Sequence, residues 1–210
     1  ESQYYVDSTI KGHQVCANGP HIHEYLKELV KDAGIEEFVT VGEMSSTSLD
    51  HCICYSAPQE KELSMCFNFH HLKVDYKDGD KWSLQNVDYR KLKELFVEWQ
   101  MGMQKGNGWN ALFWCNHDQP RIVSRMGNED IYWKESAKML AGMIHFMRGT
   151  PYIYQGEEIG MLNAHYTSIE QYRDVESLNY YQILLKDGKT KEEALKILAA
   201  RSRDNSRTPM

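Results

Sequence analysis

Proline and cysteine are scarce here, long apolar runs are missing, and positive charge is short. The 210 residues hold five prolines and five cysteines. Cys16, Cys52, Cys54, Cys66 and Cys115 are odd in number and contain no CxxC pair, which excludes a paired disulfide framework and a zinc ribbon. His51-Cys52-x-Cys54 lacks a second ligand pair at zinc spacing, so reduced, buried thiols are expected and no metal or other cofactor. No apolar stretch approaches the roughly 18 residues of a membrane span, and no basic-plus-apolar signal segment opens the chain. Glu1 is not an initiator Met, so an upstream part is expected. Lys and Arg number 24 against 30 Asp and Glu, a net charge of −6. That balance argues against a nucleic-acid partner, which needs a basic face, and fits a cytoplasmic protein without a membrane partner.

What is present is enough apolar material for a sizeable core, 41% hydrophobic and 11% aromatic, in a chain the length of one domain or a large piece of one. Helix is expected from Pro20 to Gly34, where Ile22, Tyr25, Leu26, Leu29 and Val30 recur at helical spacing. Phe38–Gly42 reads as a strand ending at Glu43, followed by a short helix through Tyr55. Glu62–Phe67 reads as a strand, Lys77–Lys81 as a polar turn and Asp88–Met103 as a helix. Ala111–Cys115 is a third strand, Lys134–Met147 a helix, and Pro151–Tyr154 a fourth strand. A helix around Glu170–Leu185 and a last one behind the Thr190-x-x-Glu193 capping box complete the pattern.

Strands alternating with helices imply parallel β/α units. Polar residues gather behind each strand: Glu43, Asn68 to Lys73, Asn116 to Arg121, Gln155 to Glu158. In β/α barrels the active site is built from the loops after the strands. Four strands make half of an eight-stranded barrel, so about four more units are expected before Glu1. An open doubly wound sheet is the alternative.

Asn110-Ala-Leu-Phe-Trp-Cys-Asn-His-Asp-Gln-Pro-Arg121 stands out. A buried strand gains nothing by ending in Asn116-His117-Asp118, because burying a carboxylate and an imidazole costs several kcal/mol unless they are paired or used. Glu43 and Asp118, behind two different strands, read as paired carboxylates, the apparatus of glycoside hydrolysis.

Val41-Gly-Glu-Met44 and Phe113-Trp-Cys-Asn-His-Asp-Gln-Pro-Arg121 resemble two motifs of the α-amylase-type glycoside hydrolases, at barrel strands five and seven. Gly149-Thr-Pro-Tyr-Ile-Tyr-Gln-Gly-Glu-Glu-Ile-Gly-Met161 is similar to their strand eight. Arg203-Asp-Asn-Ser-Arg-Thr-Pro-Met210 is similar to the segment leaving the barrel in the oligo-1,6-glucosidase branch. Gly42-Glu-Met-Ser-Ser-Thr-Ser48 and Met65–Tyr76 resemble the trehalose-6-phosphate hydrolases of that branch.

The resemblance implies an α/β fold, the second half of a (β/α)8 TIM barrel. Residues 1–210 would be a partial catalytic domain, with strands one to four and a C-terminal β-domain outside it. Glu43 corresponds to the general acid/base and Asp118 to the transition-state stabiliser, which corrects its reading as half of a catalytic pair. His117 matches a histidine on the same sugar hydroxyls, and Arg203 an arginine on the terminal glucose, with Arg207 as alternative. The family's nucleophile, an aspartate in a Gly-Phe-Arg-x-Asp type motif after strand four, is absent, so an inactive piece is expected whose partner is the missing half of the same barrel. The substrate implied is a phosphorylated disaccharide, and Lys73 and Lys81, with His70 and His71 adjacent, are the candidates for its phosphate. Arg121 is a further candidate, or an ion-pair partner of Asp118. A glucosidase for isomalto-oligosaccharides and a catalytically dead binding subunit are the alternative functions.

Overall fold

A computed structural model describes residues 18–34 and 38–210; the expectations for residues 1–17, Cys16 among them, lie outside the described residues. In chain order the regular elements are α1 (Ile22–Asp32), β1 (Val41–Met44), α2 (Leu49–Ser56), β2 (Met65–Asn68), β3 (Tyr76–Lys77), β4 (Asp80–Leu84), α3 (Tyr89–Lys105), β5 (Asn110–Phe113), α4 (Ile122–Met126), α5 (Trp133–His145), β6 (Thr150–Tyr152), α6 (Val175–Lys186) and α7 (Lys191–Arg201). Four strands form one sheet in the order β1-β2-β5-β6, and β3 with β4 forms a separate two-stranded sheet. The pairs β1–β2 and β2–β5 are parallel, with Gly42 opposite Cys66 and Phe67 opposite Ala111. Sequential strands therefore lie side by side with helices between them, the parallel α/β arrangement expected from the alternation.

The chain divides into two compact units. The first takes in the described residues up to His71 together with Leu92–Ala111 and Arg148–Thr150. Its core joins Cys52 and Tyr55 of α2, Cys66 of β2, and Trp99 and Met103 of α3. Ser48 caps α2, accepting the His51 N–H as a serine N-cap does. Helix α1 buries none of its residues, and Leu29 remains 64% exposed. Its half-buried Ile22 and Leu26 rest against that core, and beside them His23 Nδ1 lies 2.8 Å from the buried Glu62 carboxylate and Lys27 3.0 Å from Glu60.

The second unit comprises Leu72–Lys91, Leu112–Met147 and Pro151–Met210. Trp82 of β4 is packed with Tyr172, with Tyr181 and Leu184 of α6, and with Ala194, Ile197 and Leu198 of α7. The expected capping box is present: Thr190 accepts the Glu193 N–H while the Glu193 carboxylate accepts the Thr190 N–H. The expected polar turn at Lys77–Lys81 is the bend of a β-hairpin. Asp78 (φ 53°) and Gly79 (φ 80°) both adopt the left-handed backbone that a two-residue Asp-Gly turn requires.

Other boundaries shift for local reasons. The strand expected at Phe38–Gly42 runs from Val41 to Met44, so Glu43 stands within β1 rather than behind it. β5 stops at Phe113, two residues before the apolar run ends. Trp114 and Cys115 stay buried without the ladder: the Trp114 indole N–H donates to Leu140 O at 2.7 Å, and Cys115 Sγ accepts the Ile122 N–H at 3.2 Å. Helix α4, five residues long, is too short to show a period and was not expected. Cys52, Cys66 and Cys115 are buried thiols, whereas Cys54, on the outer side of α2, is exposed.

Candidate active site

Six charged or titratable side chains of the second unit gather around Asp118. The turn behind β5 presents it. Asn116 Oδ1 accepts the Asp118 N–H at 2.8 Å, an Asx turn, and Asn116 O accepts the Gln119 N–H at 3.3 Å. Asn116 thus shapes the turn and leaves His117 and Asp118 displayed. His117 is the most open of the group, its Nε2 3.7 Å from Asp118 Oδ2.

The cations come from the other end of the chain. Arg207 Nη2 donates to Asp118 Oδ1 at 2.7 Å, Nη1 to Asp174 Oδ2 at 2.6 Å, and Nε to His117 O at 2.8 Å. Arg203 Nη1 lies 3.6 Å from Asp118 Oδ1, and its Nε is 2.9 Å from Glu176 Oε2, an ion pair without hydrogen-bond alignment. Lys81 Nζ donates to the same Glu176 oxygen at 2.7 Å. Lys81, Arg203 and Arg207 are matched by Asp118, Asp174 and Glu176, so the cluster is balanced apart from His117.

The segment carrying the two arginines is held rigidly. Ser202 accepts the Asp204 N–H at 3.0 Å and donates to Asp204 Oδ2 at 2.8 Å. Asp204 Oδ1 accepts the N–H groups of Arg173 (2.8 Å) and Asp174 (3.1 Å), and Asn205 Nδ2 donates to Ala199 O at 2.9 Å. Ser206 donates its hydroxyl to Gln119 O, while Ser206 O accepts the Tyr154 phenol at 3.0 Å. Asp204, Asn205 and Ser206 are all buried, which gives the Asp-Asn-Ser between the arginines a structural reason.

The sequence-predicted residues fall in both units. Asp118, His117, Arg203, Arg207 and Lys81 stand together. Glu43 is an exposed residue of the first unit, opposite Phe67 in the β1–β2 ladder. Of the two arginines, Arg207, expected only as the alternative, makes the shorter contact with Asp118. Lys73 is exposed at the end of the 3-10 turn His70–Lys73, and burial around its ammonium pushes its pKa down. Burial also lowers that of Lys81, against the opposing pull of Glu176.

Two expectations are corrected. Arg121 faces neither a phosphate nor Asp118. Behind Pro120 the chain turns into α4 and carries the Arg121 side chain inward to 0% exposure. There Nη1 donates to Gln155 O at 2.6 Å and the guanidinium lies 5.3 Å from the Tyr154 ring centre. Space is so close that a Cβ on Gly156 (φ +88°) would meet Met161 Sδ at 2.3 Å and Arg121 Nη1 at 3.1 Å. His70 and His71, near Lys73 in sequence, lie against α3. Each ring packs on an aromatic of α3, His70 on Trp99 at 5.2 Å and His71 on Phe96 at 5.6 Å.

Sequence reasoning missed Asp174, Glu176 and Glu157. The first is legible afterwards as the N-cap of α6, its Oδ1 accepting the Glu176 N–H at 2.9 Å. Glu157, near Cys115 and Arg121, is pushed up to about 7 by burial. A carboxyl whose pKa is raised on folding stabilises the fold while it is protonated, and that contribution is lost as pH rises from its ordinary value of 4.5 through about 7. Thermal melting between pH 5 and 8 (a span set about that folded value) should show the melting temperature falling, and Glu157→Gln should flatten the decline. An identical decline in the variant would remove Glu157 as its cause.

Among the described residues, no group of three or more His, Cys, Asp or Glu is placed to hold a metal ion. No helix among them is long and apolar enough to cross a membrane.

The model of the alpha-amylase catalytic domain matches residues 2–210. Trehalose-6-phosphate hydrolase of Escherichia coli (strain K12) is 59% identical over 200 residues, 95% of this chain and 36% of that protein. The enzyme of that name from Bacillus subtilis (strain 168) is 56% identical over 95% of this chain and 36% of its own length. Oligo-1,6-glucosidase of Bacillus cereus is 44% identical over 96% of this chain and 36% of its own length. Among solved structures, trehalose-6-phosphate hydrolase of Bacillus licheniformis superposes with a TM-score of 0.92 at 56% identity, covering 97% of this chain and 37% of that one. Isomaltulose synthase of Erwinia rhapontici NX5 follows at a TM-score of 0.81 and 34% identity, covering 91% of this chain and 35% of that one. The chain spans a little over a third of the length of these relatives. A catalytic-domain match over almost every residue, with relatives this similar, means that the chain belongs to the alpha-amylase family.

Proposed function

We propose that the chain is the second half of a (β/α)8 catalytic barrel, about strands five to eight, in a retaining α-glucosidase that splits trehalose 6-phosphate into glucose and glucose 6-phosphate. The observation that carries this reading is Asp118 held at 2.7 Å by Arg207, with His117 beside it, on the turn behind a buried parallel strand. A carboxylate fixed by one arginine and left 31% exposed keeps lone pairs for sugar hydroxyls.

In this mechanism Glu43 gives its proton to the glycosidic oxygen as the glucosyl carbon passes from that oxygen to the carboxylate of the nucleophile, and glucose 6-phosphate leaves. Glu43, now a carboxylate, takes a proton from the water that releases the glucosyl group. Asp118, with His117, Arg203 and Arg207, grips the glucosyl ring. The nucleophile stands about 5–5.5 Å from the acid in retaining enzymes. We assign that role to no residue of this chain, so the 210 residues alone are inactive and work with the rest of the barrel.

Specificity for the phosphate is assigned to Lys81 and Lys73. Lys81 already stands in the Asp118 cluster, with Glu176 as its resident counter-ion, and is the stronger candidate of the two. The test uses a protein that joins this chain to the remaining length of its relatives. It should release glucose from trehalose 6-phosphate, and the 210-residue chain alone should not. Lys81→Ala should lower kcat/KM for the phosphorylated substrate by about 10- to 100-fold, the worth of one charge-assisted hydrogen bond. Isomaltose brings no phosphate for Lys81 to hold, so its hydrolysis should fall by no more than about threefold. Equal losses on both substrates would remove the phosphate role. An unmodified protein that prefers isomaltose would favour the oligo-1,6-glucosidase reading.

A further inference from the structure

Asp174 is tied into this site in a way that its place as a helix cap does not require. Its side chain is 6% exposed, against 38% for Arg207 and 31% for Asp118. Each of its polar groups has one task. Its N–H donates to Asp204 Oδ1 at 3.1 Å, Oδ1 accepts the Glu176 N–H at 2.9 Å, and Oδ2 accepts Arg207 Nη1 at 2.6 Å. Capping uses only Oδ1, and Oδ2 is turned wholly to the arginine. A guanidinium presents its donors in a planar fork, so anchoring Nη1 on Asp174 and Nε on His117 O leaves Nη2 aimed at Asp118 Oδ1 alone.

We propose that Asp174 is a positioning residue for Asp118, acting through Arg207. The inference rests on the glycosidase reading of the site. By holding one arm of the fork, Asp174 keeps Arg207 from closing in a two-pronged pair over both Asp118 oxygens, the geometry that guanidinium and carboxylate otherwise prefer. Asp118 Oδ2 then stays available to a sugar hydroxyl, with His117 Nε2 3.7 Å away. Without the negative charge at Asp174, the fork swings onto Asp118 and occupies the acceptor that the substrate needs.

The experiment compares the unmodified protein, in which this chain is joined to the rest of the barrel, with Asp174→Asn and Asp174→Ser. Both replacements retain a capping oxygen for the Glu176 N–H and remove the charge. The expected result is a loss of about 10- to 100-fold in kcat/KM on the glucoside substrate, the scale of a misplaced catalytic group, with the protein still folded at the assay temperature. In an Arg207→Met background, Asp174→Asn should cost nothing further, because the residue through which Asp174 acts is gone. A capping role alone would cost the same in either background. Activity of Asp174→Asn within about twofold of the unmodified protein, or additive losses in the double variant, would overturn the proposal. So would failure of both variants to fold, which would make the role of Asp174 structural. If the unmodified protein hydrolyses no glucoside, the glycosidase reading fails first, and the positioning role falls with it.

Discussion

Asp118→Asn, in the protein that joins this chain to the rest of the barrel, should lower kcat/KM by about a thousandfold, with most of the loss in kcat. In the proposed mechanism, hydrogen bonds from the sugar ring to this carboxylate strengthen as positive charge builds on the ring carbon, and such bonds supply several kcal/mol in glycosidases. A contact that strengthens only on the way to the transition state appears in kcat more than in KM. The substitution is a fair test because Asn retains the volume and one oxygen acceptor for Arg207 Nη2, and because the turn is shaped by Asn116, whose contact with the backbone at residue 118 is untouched. Loss of less than about tenfold would mean that Asp118 does not serve the transition state, and the role would then fall to Glu176, the other partly exposed carboxylate of the cluster.

The second large effect concerns stability. Asp75→Asn should destabilise the fold by about 3–5 kcal/mol, the cost of breaking a buried ion pair from one side. Asp75 receives two arginines, all three side chains being only 3–4% exposed. Arg125 binds it with both arms, Nε to Oδ2 at 2.8 Å and Nη2 to Oδ1 at 2.7 Å. Arg201 binds Oδ2 through Nη1 and the Asp75 carbonyl through Nη2, the latter at 2.8 Å. Both guanidinium groups lie over the Tyr76 ring, at 5.5 and 5.7 Å from its centre. Burial alone would raise the Asp75 pKa; Arg125 and then Arg201 outweigh it and hold the carboxyl below its usual range. A depressed carboxyl pKa contributes stability that is present at neutral pH and is lost as pH falls through the folded-state value. The variant removes a charge from between two buried cations, so differential melting at neutral pH should fall by about 6–20 °C at this size. The gap between variant and unmodified protein should narrow in acid. A melting temperature within about 2 °C of the unmodified protein would show that the clamp contributes little.

The clamp also bears on the site. Asp75 sits between the turn that ends at Lys73 and the hairpin that carries Lys81. Arg125 belongs to α4 behind the Asp118 turn, and Arg201 is the last residue of α7, two before Arg203. One buried carboxylate thus ties the hairpin with Lys81 to the elements that hold Asp118 and Arg203.

Much of this was legible along the chain. The parallel α/β class followed from alternating patterns, because helix and strand periods are local properties of where apolar side chains recur. The capping box at Thr190 and the helix stop at Gly34 were equally local. The display of Asn116-His117-Asp118 behind a buried strand could be read because burial of such groups is costly enough to demand a use. The motifs of the strand ends and of the Arg203–Met210 segment pointed to the alpha-amylase family, and the match over residues 2–210 agrees.

What the sequence could not decide was where the side chains between these motifs would turn. Arg121, three residues past Asp118, reads as a ligand or a partner of that carboxylate, yet the chain behind Pro120 drives it into the interior onto Gln155 O and Tyr154. His70 and His71 read only as neighbours of Lys73, and folding packs them against Trp99 and Phe96. Glu176, Asp75 and Arg201 carry no local signal, and Asp174 signals only a helix cap, because each acts on the site through a partner far along the chain, from Glu176–Arg203 to Asp75–Arg201. Residue type and spacing determined which groups could form a sugar-gripping site. Only folding, which sets the direction and burial of each side chain at once, decided that Arg207 and not Arg121 would hold Asp118.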